Sequence, residues 1–265
     1  MNKSIFETDE IRKLAVKNFG KFAKVIKQLI IDKNIKFDLI VGGGDSGLGM
    51  VKFVELIYQE LGLPVPKAIT IPIVRFKDPK VYWAGSDEFY FDNSVLLPYV
   101  KDQLENVQKI ENILFVDDEI SIKGSTFLTC LKLITEALGQ EVIYPLNCYI
   151  VSEDFEYKAK SFDPNIKINF YPFSKGTADI YSVISYIIPW EIEKQIQEKL
   201  SEEQLNSKRR LNLLLGLPAK ERINDKGEFV YKYRDLANKK IENFKELQGQ
   251  FLAYLKQLIR DNLKV

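Results

Sequence analysis

Apolar positions along the chain recur with two different spacings. Ile11, Leu14, Phe19, Phe22, Ile26 and Leu29 follow one another at three- to five-residue steps, the stripe of an amphipathic helix. The run Phe-Asp-Leu-Ile-Val at 37–41 is short and nearly continuous, which predicts a buried strand, and it ends in three glycines. Residues 46–62 return to a helical pattern that stops near Gly62 and Pro64. The apolar run at 68–76 predicts a second strand, whereas 76–95 shows no helical period and predicts a long loop or small hairpin. A helical stretch near 98–108 then leads into a strand at 112–118, a helix at 124–139 and a strand at 141–151. Another strand is expected at 166–171, followed by an irregular aromatic segment to Trp190.

From Glu191 the pattern changes. Residues 192–215 are charged and helical, Leu217-Pro218 interrupts them, and a last helix carries Phe244, Leu247, Phe251, Leu255 and Leu258 on one face. That face has to be buried, either on the same core or in a homo-oligomer. Strands alternating with helices predict an α/β fold, a mostly parallel sheet with helices on both faces and a helical C-terminal extension. The expected division is a domain at 1–191 and an extension at 192–265. In such sheets ligands sit at the carboxyl ends of the strands. The two unusual loops, after the first and third strands, lie at that end.

Composition narrows the chemistry. Lys+Arg and Asp+Glu nearly cancel, at 38 and 37, which argues against an extended nucleic-acid surface. No apolar run approaches the roughly 20 residues that span a bilayer, and the first residues lack the apolar core of a signal peptide. A cytoplasmic protein without membrane contact is expected. Cys130 and Cys148 each sit in an apolar run, as reduced core thiols do. Histidine is absent, which excludes Ser-His-Asp and Cys-His hydrolases and His-ligated zinc. Carboxylates, hydroxyls, lysines, backbone amides or a bound metal must carry the chemistry.

Residues 113–126 read Ile-Leu-Phe-Val-Asp-Asp-Glu-Ile-Ser-Ile-Lys-Gly-Ser-Thr. Four apolar residues deliver Asp117 and Asp118 to a strand end, and a polar loop then opens a helix. Paired carboxylates accept hydrogen bonds from vicinal ribose hydroxyls, and free N–H groups at a helix start favour a phosphate. Gly124 lets the backbone approach an anion with no Cβ in the way. After the first strand, Gly42-Gly43-Gly44-Asp45-Ser46-Gly47 contains G-x-G-x-x-G between a strand and a helix. A dinucleotide site would want an acid at the end of the second strand. That strand instead ends Val74-Arg75-Phe76, so a pyrophosphate site, a dinucleotide site and a merely tight turn all stand.

The 113–126 stretch resembles the phosphoribosyl pyrophosphate signature of type I phosphoribosyltransferases. The glycine loop resembles their pyrophosphate loop in position, glycine content and the helix that follows. The resemblance implies that Asp117 and Asp118 face the ribose and touch Mg²⁺ only through the bound ligand. It further implies that Ser121, Lys123, Gly124, Ser125 and Thr126 hold the 5′-phosphate. Gly43, Gly44, Asp45, Ser46 and Gly47 would hold the pyrophosphate. Arg75, with Lys77 and Lys80, falls where the family has a closing loop, and Arg75 is grouped with the acids as catalytic. The glycine lies one position further from the acids than is usual. Residues 166–191 resemble the hood of the xanthine/hypoxanthine/guanine branch, with Tyr186 where that branch has a tryptophan. That implies a 6-oxopurine bound by Lys175, Tyr186 and Ile187. Where the branch often has an acid for proton exchange this chain has Ser121, with Glu119 nearby. The expected activity joins the ribose 5-phosphate of phosphoribosyl pyrophosphate to a nitrogen base, with Mg²⁺. The alternatives are a non-catalytic sensor of the same ligand and, behind it, an NAD(P)-dependent oxidoreductase.

Overall fold

The computed structural model describes residues 3–73, 93–107, 109–120, 124–139, 145–154, 165–175, 183–200, 207–217 and 237–264. Five parallel strands form a sheet: β1 (Leu39–Gly43), β2 (Lys67–Ile71), β3 (Asn112–Ile120), β4 (Leu146–Asp154) and β5 (Ile166–Lys175). Their spatial order is β2-β1-β3-β4-β5. Around them lie α1 (Lys3–Lys27), α2 (Gly44–Glu60), α3 (Asn93–Leu104) and α4 (Ser125–Leu138). Among the described residues three longer helices follow, α5 (Trp190–Lys199), α6 (Ser207–Leu214) and α7 (Phe244–Leu263), with one helical turn at 237–240 before α7.

Side-chain alternation along the strands divides the core into two layers. Leu39, Val41, Ile113 and Phe115 pack with residues of α3 and α4. Ile40, Leu114 and Val116 face the other way, into a larger cluster built by α1, α2 and the three C-terminal helices. The fold is therefore α/β with a parallel sheet covered on both faces, as the alternation of elements predicts. No helix among the described residues is long and apolar enough to cross a membrane.

Several boundaries differ from the sequence pattern for local reasons. β2 stops at Ile71 because Pro72 has no N–H to give the ladder. Pro145 likewise stands before β4, which begins at Leu146 and not at 141; residues 140–144 lie outside the described residues. Of the predicted loop, 93–95 already belong to α3 and 76–92 are not described. The single helix expected over 192–215 is interrupted at Leu200, which leaves helical geometry at φ −120°; residues 201–206 lie outside the described residues and α6 begins at Ser207. Trp190 opens α5 about 42% exposed, with the Arg12 guanidinium 4.8 Å from its ring centroid.

The C-terminal helices are integral to the core. α7 buries Phe244, Leu247, Phe251, Leu255, Ile259 and Leu263; the stripe passes through Ile259 while Leu258 is half-buried. α1 and α7 meet at Gly20, where a Cβ would come within 2.4 Å of Asn262 Oδ1. Glu193 on α5, only 2% exposed, accepts from Arg12 Nη2 of α1 at 2.5 Å and from Arg210 Nη2 of α6 at 2.8 Å. Three helices are thus clasped on one carboxylate.

Candidate functional site

β1 pairs with β2 on one side and β3 on the other, so the chain reverses its direction of travel across the sheet between β1 and β3. The ends of adjacent connections diverge there and leave a crevice, the usual ligand position in open α/β sheets. The glycine turn closes β1 and the acid pair closes β3, so both reach this crevice.

The acids sit in a β-bulge. Val116 pairs with Val151 and Glu119 with Glu153, so Asp117 and Asp118 together oppose Ser152 alone. The extra residue breaks strict alternation and re-aims both side chains. A matching irregularity follows in β5, where Phe173 is the extra residue between the pairs of Pro172 and Ser174. Phe173 packs edge-on to Phe22 of α1, with ring centroids 5.5 Å apart.

Backbone contact accounts for the central glycines. A Cβ on Gly42 would lie 2.4 Å from the Gly47 carbonyl oxygen, and one on Gly47 would lie 2.6 Å from the Gly42 carbonyl carbon. These residues press the start of α2 onto the end of β1. Gly44 turns the chain with φ +65°, and Gly124 does so before α4 with φ +57°. A Cβ on Gly43 would meet the Thr126 methyl at 2.6 Å. The first turns of α2 and α4 therefore converge beside the acids, and both present helix N-termini to the crevice.

Ser46 Oγ donates to Asp117 Oδ1 at 2.7 Å, and the Asp118 backbone N–H donates to the same oxygen at 2.8 Å. Asp117 and Asp118 are 4% and 2% exposed. Burial, and next the charge of Asp118, hold the Asp117 carboxyl well above the ordinary carboxylate range; the Ser46 bond and Lys208 oppose this. Lys208 Nζ from α6 lies 2.8 Å from Asp118 Oδ2. A partly open cavity of about 220 Å³ adjoins this pair, lined by Ser46, Met50, Asp118, Ile184, Ser185 and three α6 residues, Lys208, Leu211 and Asn212. Behind the site, Cys130 is buried and its thiol is pushed well up, by burial first and the Asp117 charge second.

The sequence-predicted residues fall as follows. Asp117, Asp118, Gly43, Gly44, Ser46, Gly47, Gly124 and Thr126 converge on the crevice. The short turn Val183–Tyr186 presents Ile184 and Ser185 to the cavity, while Tyr186 packs against the large cluster and Ile187 is 1% exposed. Lys175 is exposed at the end of β5, opposite Asp154 in the ladder. Arg75, Lys77, Lys80, Ser121 and Lys123 lie outside the described residues, as do the side chains of Asp45, Glu119 and Ser125. Lys208, Asn212 and Ser185 have no forerunner in the motifs. Lys208 belongs to the charged run Ser-Lys-Arg-Arg, which by pattern reads as a solvated helix face.

Chemically, the crevice offers carboxylate acceptors for hydroxyl groups beside two helix N-termini suited to anions. Its oxygen donors fit a Mg²⁺ that arrives on a phosphorylated ligand, since Mg²⁺ commonly takes one or two carboxylates together with substrate phosphates. No protein-family model matches the chain, and no curated protein matches it.

Proposed function

We propose that the chain is a phosphoribosyltransferase that joins the ribose 5-phosphate of phosphoribosyl pyrophosphate to a nitrogen base, a 6-oxopurine, and releases pyrophosphate. The observation carrying this reading is the acid bulge of Asp117 and Asp118 beside the Gly42–Gly47 turn, joined by the Ser46–Asp117 hydrogen bond. A ligand with vicinal hydroxyls between two phosphorylated positions matches acids flanked by two helix N-termini. In the reaction the C1′–O bond to pyrophosphate breaks and its electron pair leaves with the pyrophosphate. The base nitrogen forms the new C1′–N bond and its proton passes to solvent or to the released pyrophosphate. A Mg²⁺ arriving with the substrate would lie near Asp117 and Asp118 and would supply charge neutralisation at the leaving group. The chain itself orients the ribose through Asp117 and Asp118 and lines the phosphate positions with backbone amides. Lys175 and the 183–187 turn are the proposed base-side residues. We place the protein in the cytoplasm, where Cys130 and Cys148 stay reduced.

Calorimetry with Mg²⁺ and phosphoribosyl pyrophosphate tests the reading. Asp117→Asn with Asp118→Asn removes two charge-assisted acceptors and should weaken binding about 10²-fold or more. Unchanged affinity in that variant would remove the ribose assignment. A second reading, a non-catalytic sensor of the same ligand, is favoured by the burial of both acids beneath α6. Pyrophosphate release assayed with hypoxanthine, guanine, xanthine and orotate separates the two.

A further inference from the structure

We infer that Lys208, carried by α6 of the C-terminal extension, offsets the charge of the acid pair and thereby lets the crevice accept a phosphorylated ligand. The inference rests on the reading above in taking such a ligand to bind there. Lys208 Nζ lies 2.8 Å from Asp118 Oδ2, and its charge also reaches Asp117, where it opposes the effects of burial and of Asp118. Two adjacent carboxylates repel phosphate groups, and the repulsion is strong where little water screens it. Asp117 and Asp118 are both buried. Asp118 and Lys208 are the two charged side chains among the cavity's lining residues, the others being apolar or uncharged. About 31% of the Lys208 side chain is exposed against 3% for Asp118, so the cation is the outer member of the pair. Ser46 lines the same cavity from the first turn of α2, which puts the cation on the side of the glycine turn and its amides.

The pair is not what holds α6 in place. Leu211, Leu213 and Leu214 are buried in the large core cluster. Arg210 Nη2 donates to Glu193 Oε1 at 2.8 Å, and Gln248 Nε2 of α7 donates to the Leu213 carbonyl at 2.7 Å. The Ser207 and Ser185 hydroxyls lie 2.9 Å apart and tie the start of α6 to the 183–186 turn. An ion pair adds little net stability over apolar groups of similar volume, because both charges lose water. The packing of α6 therefore does not require a lysine at 208, whereas the two acids beside it do. α6 is a fixed wall of the crevice, and its seating in the core holds the ammonium against Asp118. Lys208 acts through that acid, as a positioning residue for charge.

The test is calorimetry on the full-length chain with inorganic pyrophosphate at a fixed excess of Mg²⁺, a probe that has no ribose hydroxyls. Lys208→Met should weaken binding about tenfold or more, the effect of removing one cation beside the anion. Lys208→Arg keeps the charge and should stay within about threefold of wild type. Lys208→Met with Asp118→Asn removes both charges and should recover most of the loss. An undiminished affinity in Lys208→Met, or an equal loss in Lys208→Arg, overturns the inference. So does a loss that the double change fails to recover, which would make Lys208 a direct phosphate contact. Pyrophosphate that does not bind wild type at millimolar concentration overturns it too. Phosphoribosyl pyrophosphate in the same experiment decides the substrate reading separately. If it fails to bind while pyrophosphate follows the expected pattern, that reading falls and the charge role of Lys208 stands.

Discussion

The hydroxyl of Ser46 donates to Oδ1 of Asp117 at 2.7 Å and so ties the first turn of α2 to the bulge in β3. That bond lowers the carboxyl's proton affinity, yet burial and the Asp118 charge outweigh it and hold Asp117 well above its ordinary value of 3.8. Between the ordinary and raised values the folded chain binds more protons than the unfolded one. This group's contribution to stability therefore falls as pH rises through that window and levels off above it. Asp117→Asn keeps an Oδ1 acceptor for both Ser46 and the Asp118 N–H while removing the titration. The variant should be more stable than wild type at pH 7 by about 0.5–2 kcal/mol. The gap should close below about pH 4. Urea unfolding at several pH values, without added Mg²⁺, measures it; a gap independent of pH would contradict the assignment.

Glycine substitutions separate close approach from chain flexibility. Gly42→Ala places a Cβ 2.4 Å from the Gly47 carbonyl oxygen, where backbone cannot move aside cheaply. The expected loss is about 1–3 kcal/mol, the range for overpacking. Gly249→Ala, exposed within α7 with nothing inside 4 Å of the new methyl, should instead gain about 0.5–1 kcal/mol from helix propensity. Denaturant midpoints showing the same sign for both would mean that the strand–helix contact is not tight.

The clasp at Glu193 predicts a third stability effect. Glu193→Ala leaves Arg12 and Arg210 facing one another without their shared carboxylate. Removing one partner of such a buried network costs about 3–5 kcal/mol. Thermal unfolding should show the loss, and the double change Glu193→Ala with Arg210→Met should restore part of it. No recovery in the double variant would show that the two residues are not coupled.

The sheet and its crevice were legible because their signals are local. Phe115 and Val116 point to opposite faces of a buried strand, and the adjacent Asp117 and Asp118 stand out after four apolar residues. The bulge was not legible, since the acids look the same in sequence whether one or two residues oppose Ser152. Its evidence is the pairing register with β4, a non-local property. Lys208 was illegible for a similar reason: its partner lies 90 positions earlier, and a lysine in a charged helical run carries no mark of burial. Gly42 and Gly47 illustrate the middle case. The motif placed them in a strand–helix turn, but only the structure shows that they touch one another.

The course of the α7 stripe yields the last prediction. Continuing from Leu255, the helical period allows either Leu258 or Ile259 to face the core, three or four positions on, and the apolar pattern alone does not choose. The structure places Ile259 fully inside at 0% exposure and leaves Leu258 half-buried at the margin of the cluster. The helix bears on α1 and α2 along the line Phe251, Leu255, Ile259 and Leu263, all buried, and Gly20 lets α1 close on Asn262 beside it. Ile259→Ala should therefore open a cavity and cost about 2–5 kcal/mol. Leu258→Ala should cost about 1 kcal/mol, the share of a side chain only partly removed from water. Chemical denaturation of both variants tests the order. Equal losses would mean that α7 is rotated from this seating, and a larger loss at Leu258 would place the other face of the helix on the core.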